Sequence, residues 1–421
     1  MSTSTTSHLL APQGRFLRLP QGSSRLWLIL SMILVAMSAT RIVTGASDLT
    51  SEGTLRAAMV AAVPIALAGL GGIWSERAGV VNIGLEGMMI LGTLGAGYFG
   101  YHYGVWAGLL GAIVLGALGG MLHALATVIF GVDHIVSGVA INIIAAGGAS
   151  FMAELLFSDL PGGGPTQSPG LPRPFTITIP GVSDAAQAVA AKEWFVVSDL
   201  ADLIASLTVR LSIFTVLAWV AVAGTGWILW KTGFGLRLRA CGESPTAAES
   251  LGVDVIRYKF VAVTISGAFA GAAGAYLAMV ASSGYQNGQT LGLGYIGLAA
   301  MIFGNWRPGG MFLGALLFGY TLAARLRSGG ESVHALLLII AIALIGLAIV
   351  QVVRKGISTG VVVTALVGVG ALVWYLSTDS IPGDFTEMTP YVATLLVLAL
   401  FSQQLRMPAA DGQVYRRGSA G

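Results

Sequence analysis

The chain reads as a succession of apolar runs, most of them near twenty residues, cut by short polar breaks. A helix needs about 20 apolar residues to cross the roughly 30 Å hydrocarbon layer of a bilayer. Candidate spans lie near 26–44, 55–74, 80–101, 105–130, 135–157, 208–230, 259–283, 291–305, 311–326, 333–353, 358–377 and 390–405. The 291–305 run is short for a full crossing, and the 80–101 run holds Gly84, Gly87 and the acid Glu86. Both are therefore candidates for broken or re-entrant helices. The expected fold is all-α: a polytopic transmembrane helical bundle of about 10–12 spans.

Composition removes the alternatives. Of 421 residues, 55% are hydrophobic and only 10% charged, against about 25% charged in a soluble globular protein. Mean hydropathy is +0.81. This excludes a soluble enzyme, a nucleic-acid-binding domain and a disordered chain. The single cysteine, Cys241, excludes an intrachain disulfide, and the five scattered histidines give no zinc-ligand spacing. The four lysines are Lys192, Lys231, Lys259 and Lys355, and none follows a glycine. The chain thus has no G-x-x-x-x-G-K-[ST] phosphate loop. No cofactor is expected in it, and an ATP-driven motor would have to be another chain.

Basic residues set an expected orientation. With the N-terminus inside and the spans alternating, fifteen of the 22 Lys and Arg fall on cytoplasmic segments, the positive-inside bias. Arg325 and Arg327, placed outside, run against it. Residues 1–25 read as a cytoplasmic tail rather than a cleaved signal, and 26–353 as the main transmembrane unit. Residues 158–207, with six prolines from Pro161 to Pro180, read as an extended outer loop, and the basic 231–258 as an inner loop. Residues 354–405 add further spans before a cytoplasmic tail, 406–421. The pairs Gly116/Gly120 and Gly267/Gly271 have small-xxx-small spacing, which permits close helix packing in lipid.

Three places carry candidate chemistry. A carboxylate inside a span costs on the order of 3 kcal/mol, so Glu86 must face protein, water or a donor. Asn82 lies four residues before it and would share its face on a helix. The two would form either a polar element beside a translocation path or a buried pair shaping a re-entrant turn. Glu76 and Arg77 read as an interfacial pair. Asp133 suits the N-cap of the following span, and Asn142 sits one to two turns deeper, for packing or solute contact. Tyr285, Gln286 and Asn287 could line an outer mouth or form an ordinary turn. In the inner loop, Ser244 suits an N-cap, Pro245 the first helical position and Gly252 the C′ stop. The intervening helix is too short to stand alone. Ala247, Ala248 and Leu251 could give it a small apolar face, resting on lipid headgroups or on a partner.

The stretch Arg77-Ala78-Gly79 followed by Asn82-Ile83-Gly84-Leu85-Glu86-Gly87 resembles a signature of ABC importer permease subunits for simple sugars, nucleosides and branched-chain amino acids. The run Gly131–Gly138 with Asn142 is similar to the nucleoside-type branch, and Phe303–Gly310 with Phe318-Gly319 is a third match. The resemblance covers about 55–353. It implies an ATPase coupling helix in the frame Arg239, Ala240, Gly242, Ala247, Ala248 and Gly252, which spans the helix read above from Ser244, Pro245 and Leu251. It implies further a cytoplasmic ABC ATPase binding ATP-Mg, a second permease subunit and an extracytoplasmic substrate-binding lipoprotein. The setting would be a bacterial plasma membrane, with both termini cytoplasmic and lipid around the spans. The expected function is ATP-driven nucleoside import without catalysis in this chain. Ribose-like sugars are the alternative cargo. From another class, a self-sufficient secondary transporter or channel would need several deep ionisable residues, and Glu86 is the one clear candidate.

Overall fold

The computed structural model describes residues 23–381 and 405–416, with the single positions 388 and 418. Most of the expected 390–405 span lies outside the described residues. Helices in order are α1 (Ser23–Thr44), α2 (Glu52–Arg77), α3 (Leu85–Tyr103), α4 (Val105–Ala124) and α5 (His134–Phe157). A loop segment follows with α6 (Val182–Ala190) and α7 (Val197–Thr208), bracketed by two-residue strands β1 (Thr176–Ile177) and β2 (Leu211–Ser212), which pair antiparallel. Then come α8 (Ile213–Lys231), α9 (Gly233–Glu243), α10 (Pro245–Ser250), α11 (Val255–Tyr276), α12 (Leu293–Phe303), α13 (Pro308–Lys355) and α14 (Thr359–Ser377). Among the described residues, eight helical stretches are long and apolar enough to cross a membrane, and Leu30–Thr44 and Leu293–Phe303 are shorter apolar helices. The chain is a polytopic helical bundle.

Helix α2 is the axis of the core. From Ala62 to Glu76 every residue is buried, against α11, α12 and α13. The outward faces of α4, α5, α8 and α14 instead carry exposed Leu, Ile, Val and Trp, as a surface bathed in acyl chains requires. The two small-residue pairs meet each other: a Cβ built on Gly116 would lie 2.4 Å from the Gly267 carbonyl oxygen, and one on Gly267 would lie 2.8 Å from Gly120 Cα. With no hydrophobic push between helices in lipid, this backbone contact supplies dispersion directly.

Three expectations change. The 80–101 span begins as helix only at Leu85, because Gly79 takes φ +82° and the following segment turns before α3 starts. Asn82 is thus not on a helix and shares no helical face with Glu86. The proline-rich stretch is extended only to Pro180. Beyond it, α6 and α7 form a helical pair, because the sequence from 182 loses proline and becomes amphipathic. Asp199 of α7 is buried, accepts hydrogen bonds from Ser38 and Thr50, and pairs with Arg41 at 3.2 Å. It pins the pair to α1.

The third change is at Arg325 and Arg327, where a turn between two spans was expected. Helix α13 runs through that point for 48 residues. No proline interrupts it, and Ser328-Gly329-Gly330 lowers helix propensity without removing a donor. At 1.5 Å per residue it is about 72 Å long, more than twice the hydrocarbon layer. Its halves, Pro308–Arg327 and Gly330–Arg354, are each one crossing long, and α14 packs back along the second.

Candidate functional site

Two helices start inside the bundle rather than at its ends, α3 at Leu85 and α12 at Leu293. A helix start leaves unpaired N–H groups and a partial positive charge. Each start is met by a side chain from elsewhere. Glu86 accepts from Gly292 N at 2.9 Å and Gly294 N at 2.7 Å, so its carboxylate caps α12. Asn142 Oδ1 accepts from Gly87 N at 2.7 Å in the first turn of α3, while its Nδ2 donates to the Ile83 carbonyl and the Tyr295 hydroxyl. The glycines are required by proximity: a Cβ on Gly294 would fall 2.7 Å from Glu86 Cα, and one on Gly87 2.8 Å from Asn142 Cα. Asn82 completes the junction, with Oδ1 accepting from Gly84 N at 3.0 Å and Nδ2 donating to Ser266 at 2.8 Å. The expected short span at 291–305 is accordingly half a helix, preceded by the non-helical stretch 282–292.

That stretch divides its expected site residues. Tyr285 is buried, and its hydroxyl donates to the Ala149 carbonyl at 3.3 Å while its backbone pairs with Ser168. It is a bracket, not a mouth residue. Gln286 and Asn287 are exposed. Asn287 Oδ1 accepts from Ser150 of α5 at 3.1 Å. Ser150, Asn287, Asn142 and Tyr295 thus make a polar strip on a side of the molecule where α5 shows Ile143, Ile144, Phe151 and Leu155 to the exterior. Tyr295, half-exposed, was not singled out by sequence; nothing in its spacing marks it.

The opposite, basic end gathers Arg77, Arg239 and Arg307 with the α9–α10 loop. Helix α10 forms where expected, with Pro245 at its first position and Gly252 at φ +80° after its end. Ser244 makes no side-chain cap; its N–H instead closes α9 on the Ala240 carbonyl. Ala248 points inward, packed with Cys241 and Val255, whereas Ala247 and Leu251 face out and Leu251 is 85% exposed. The three do not form one face. Arg239 donates to the Leu229 carbonyl at 2.9 Å and shares the Trp230 ring with Arg77. Gly242 is held against α2, where a Cβ would lie 2.4 Å from the Arg77 carbonyl oxygen.

Glu76 and Arg77 are not an interfacial pair. Glu76 is buried and accepts from Trp306 Nε1 at 2.5 Å. Arg77 donates to the carbonyls of Asn305 and Trp306 and lies 3.9 Å from Glu243. Asp133 does cap α5, accepting from Ile135 N and Val136 N.

Residues 54–326 match the family described as the permease component of the branched-chain amino acid transport system. The chain belongs to that permease family. It is 33% identical over 371 residues to the guanosine ABC transporter permease protein NupQ of Bacillus subtilis, covering 86% of this chain and 96% of that protein. It is also 33% identical over 365 residues to the nucleoside ABC transporter permease protein NupC of Lactococcus lactis subsp. cremoris, covering 85% and 94% respectively. No solved structure matches the chain. Within this permease, the signature around Asn82 and Glu86 is the junction of two helix starts.

Proposed function

We propose that this permease carries nucleosides through a path bordered by α5, the 282–292 stretch and α12. It would do so as the membrane subunit of an ATP-driven importer. The observation that supports this most is the strip Asn142–Tyr295–Ser150–Asn287. Polar groups are expensive toward lipid, and nucleosides offer hydroxyls and ring nitrogens that such groups can bond. The likeness to guanosine and nucleoside permeases favours that cargo. The strip lies open on a single chain, so the path is completed by a second permease subunit.

The basic end is assigned to the cytoplasm, and the α6–α7 side to the exterior, where a substrate-binding lipoprotein would deliver cargo. A separate ATPase, with ATP-Mg, would grip α10 through Ala247 and Leu251. Nucleotide drives transport only through its differential affinity for the outward and inward states. Ala248 anchors the short helix from below, so the outward residues are the ones to test. Leu251→Arg should leave the permease folded and lower ATP-dependent uptake at least tenfold, with loss of co-purified ATPase. Uptake of radiolabelled guanosine into proteoliposomes is the measurement. Accumulation by the purified chain alone on an ion gradient would sink the importer reading.

A further inference from the structure

A segment near the C-terminus crosses the whole basic end. Arg406 N donates to Asn305 Oδ1 at 2.8 Å, on the turn between α12 and α13. Ala409 N reaches Glu243 Oε2 at 3.3 Å, and Ala410 N donates to the Gly242 carbonyl at 2.9 Å, at the end of α9. The Ala410 carbonyl sits over Gly79, Tyr415 packs on the buried cluster of Cys241, Ala248 and Val255 that joins α9, α10 and the start of α11, and Val414 lies against Gly131. Five inner connections are thereby strapped together: the α2–α3, α4–α5, α9–α10, α10–α11 and α12–α13 links. The α12–α13 turn it holds is itself unusual, with two consecutive non-glycine residues at positive φ, Asn305 and Trp306, both +54°.

The strap inserts one acid. Asp411 is 8% exposed, and neither of its carboxyl oxygens has a hydrogen-bond donor in good geometry among the described residues. Its side-chain neighbour is the carboxyl of Glu76. The other charged groups facing this point are Lys259 of α11, whose Nζ donates to the Gly79 carbonyl at 3.1 Å, and Arg77 of α2. Arg77 in turn answers to Glu243, Arg239 and Arg307. Two neighbouring buried carboxyls cannot both ionise cheaply.

We propose that residues 405–416 are a latch across the cytoplasmic gate, and that the Glu76–Asp411 carboxyl pair binds one proton as its catch. It rests on the permease reading for its orientation and for what the latch restrains. The strap bonds to the end of α9 and to the α12–α13 turn and lies against the α2–α3 link at Gly79, so it would resist any inward opening that shifts these ends apart. Lifting it exposes Asp411 to water, where the proton is lost at neutral pH.

The sign of the pH effect follows. Burial, the largest cause, pushes the docked Asp411 carboxyl up to about 7 from an ordinary 3.8. The docked state therefore holds a proton that the lifted state releases. Docking is strongest below about 3.8, weakens as pH rises toward 7, and is weakest and level above that. Each pH unit in the window is worth up to about tenfold in the docking equilibrium.

Two experiments test this. Glu243→Cys with Ala409→Cys places two exposed thiols across the latch, in the full chain with its ATPase. Oxidation to the disulfide, with yield read by mass spectrometry, should cut ATP-driven guanosine uptake at least tenfold, and reductant should restore it. Undiminished uptake by fully cross-linked protein would overturn the latch. Absence of ATP-driven uptake before oxidation would instead count against the importer reading. The second experiment needs no transport. Ala410→Cys is labelled in the purified chain from pH 5 to 8, with and without Asp411→Asn. The ratio of the two rates cancels the thiol's own titration, and the native Cys241 is buried. The rate relative to the Asn chain should rise at least tenfold between pH 5 and 7 and then level. A ratio flat across the range would refute the proton catch.

Discussion

Two of the buried acid sites among the described residues have opposite character. At mid-bundle, Glu86 meets two backbone N–H donors at the start of α12. At the basic end, Asp411 meets another carboxyl and no donor in good geometry. A buried carboxylate aimed at a helix start is supported by both hydrogen bonds and the helix field. A buried carboxyl beside another is supported by neither and needs a borrowed proton. The difference teaches where rigidity and motion are placed. The mid-bundle junction is satisfied and fixed, as the proposed path would need, whereas the strap contact at the basic end is held lightly enough to be undone, as the proposed latch would need.

Substitutions can break this contrast. The largest effect should come from Glu86→Ala, which leaves two buried N–H groups without an acceptor. At about 1–3 kcal/mol for each orphaned group, folded yield and thermal stability in detergent should fall sharply, with Glu86→Gln intermediate. Equal stability of the Ala variant and the parent would mean that Glu86 is not the brace. Asn142→Ala comes next, removing the acceptor of Gly87 N and the donor to Tyr295. A loss of about 1–2 kcal/mol should accompany a raised KM for guanosine. An unchanged KM would remove Asn142 from the path.

Asp411→Asn should do the opposite of Glu86→Ala. It replaces an acid that must find a proton with a neutral group of the same shape. Stability at pH 8 should hold or rise by up to about 1 kcal/mol, and the difference should vanish toward pH 4. A marked loss of stability at pH 8 would show that the ionised acid is a working ion-pair partner of Lys259 after all. The smallest effect belongs to Glu154→Ala. That side chain is exposed near the end of α5, and a change beyond about 0.5 kcal/mol would be unexpected for such a surface position.

The bundle was legible because its signals are additive. Runs of apolar residues, Gly116/Gly120 with Gly267/Gly271, the Asp133 cap and the Pro245–Gly252 helix each follow from local rules. The anomalies at 80–101 and 291–305 were visible for the same reason. A span carrying an acid and a span too short to cross proved to be the two helix starts that face each other. What failed was whatever depends on a distant partner. Asn82 looked helical because spacing does not show where a helix begins. Ala248 and Leu251 looked like one face because six residues carry too little periodicity to say which side is buried. Arg325–Arg327 looked like a turn because charge usually ends a span. The docking of Asp411 left no local mark at all: its turn residues, Pro408 to Gly412, predict a bend and nothing about what the bend rests on.

The contact between Gly116 and Gly267 has a mechanical corollary. Where two backbones touch, there are no side chains to shear past one another, so α4 and α11 behave as a single plank. Just beyond this seam, both helices run on into one π-type turn, Leu125–Ile129 and Leu277–Ala281. Such widened turns are rare and recur at functional sites. Any shift of these two helices would therefore carry the seam as one piece and be taken up at its two tips.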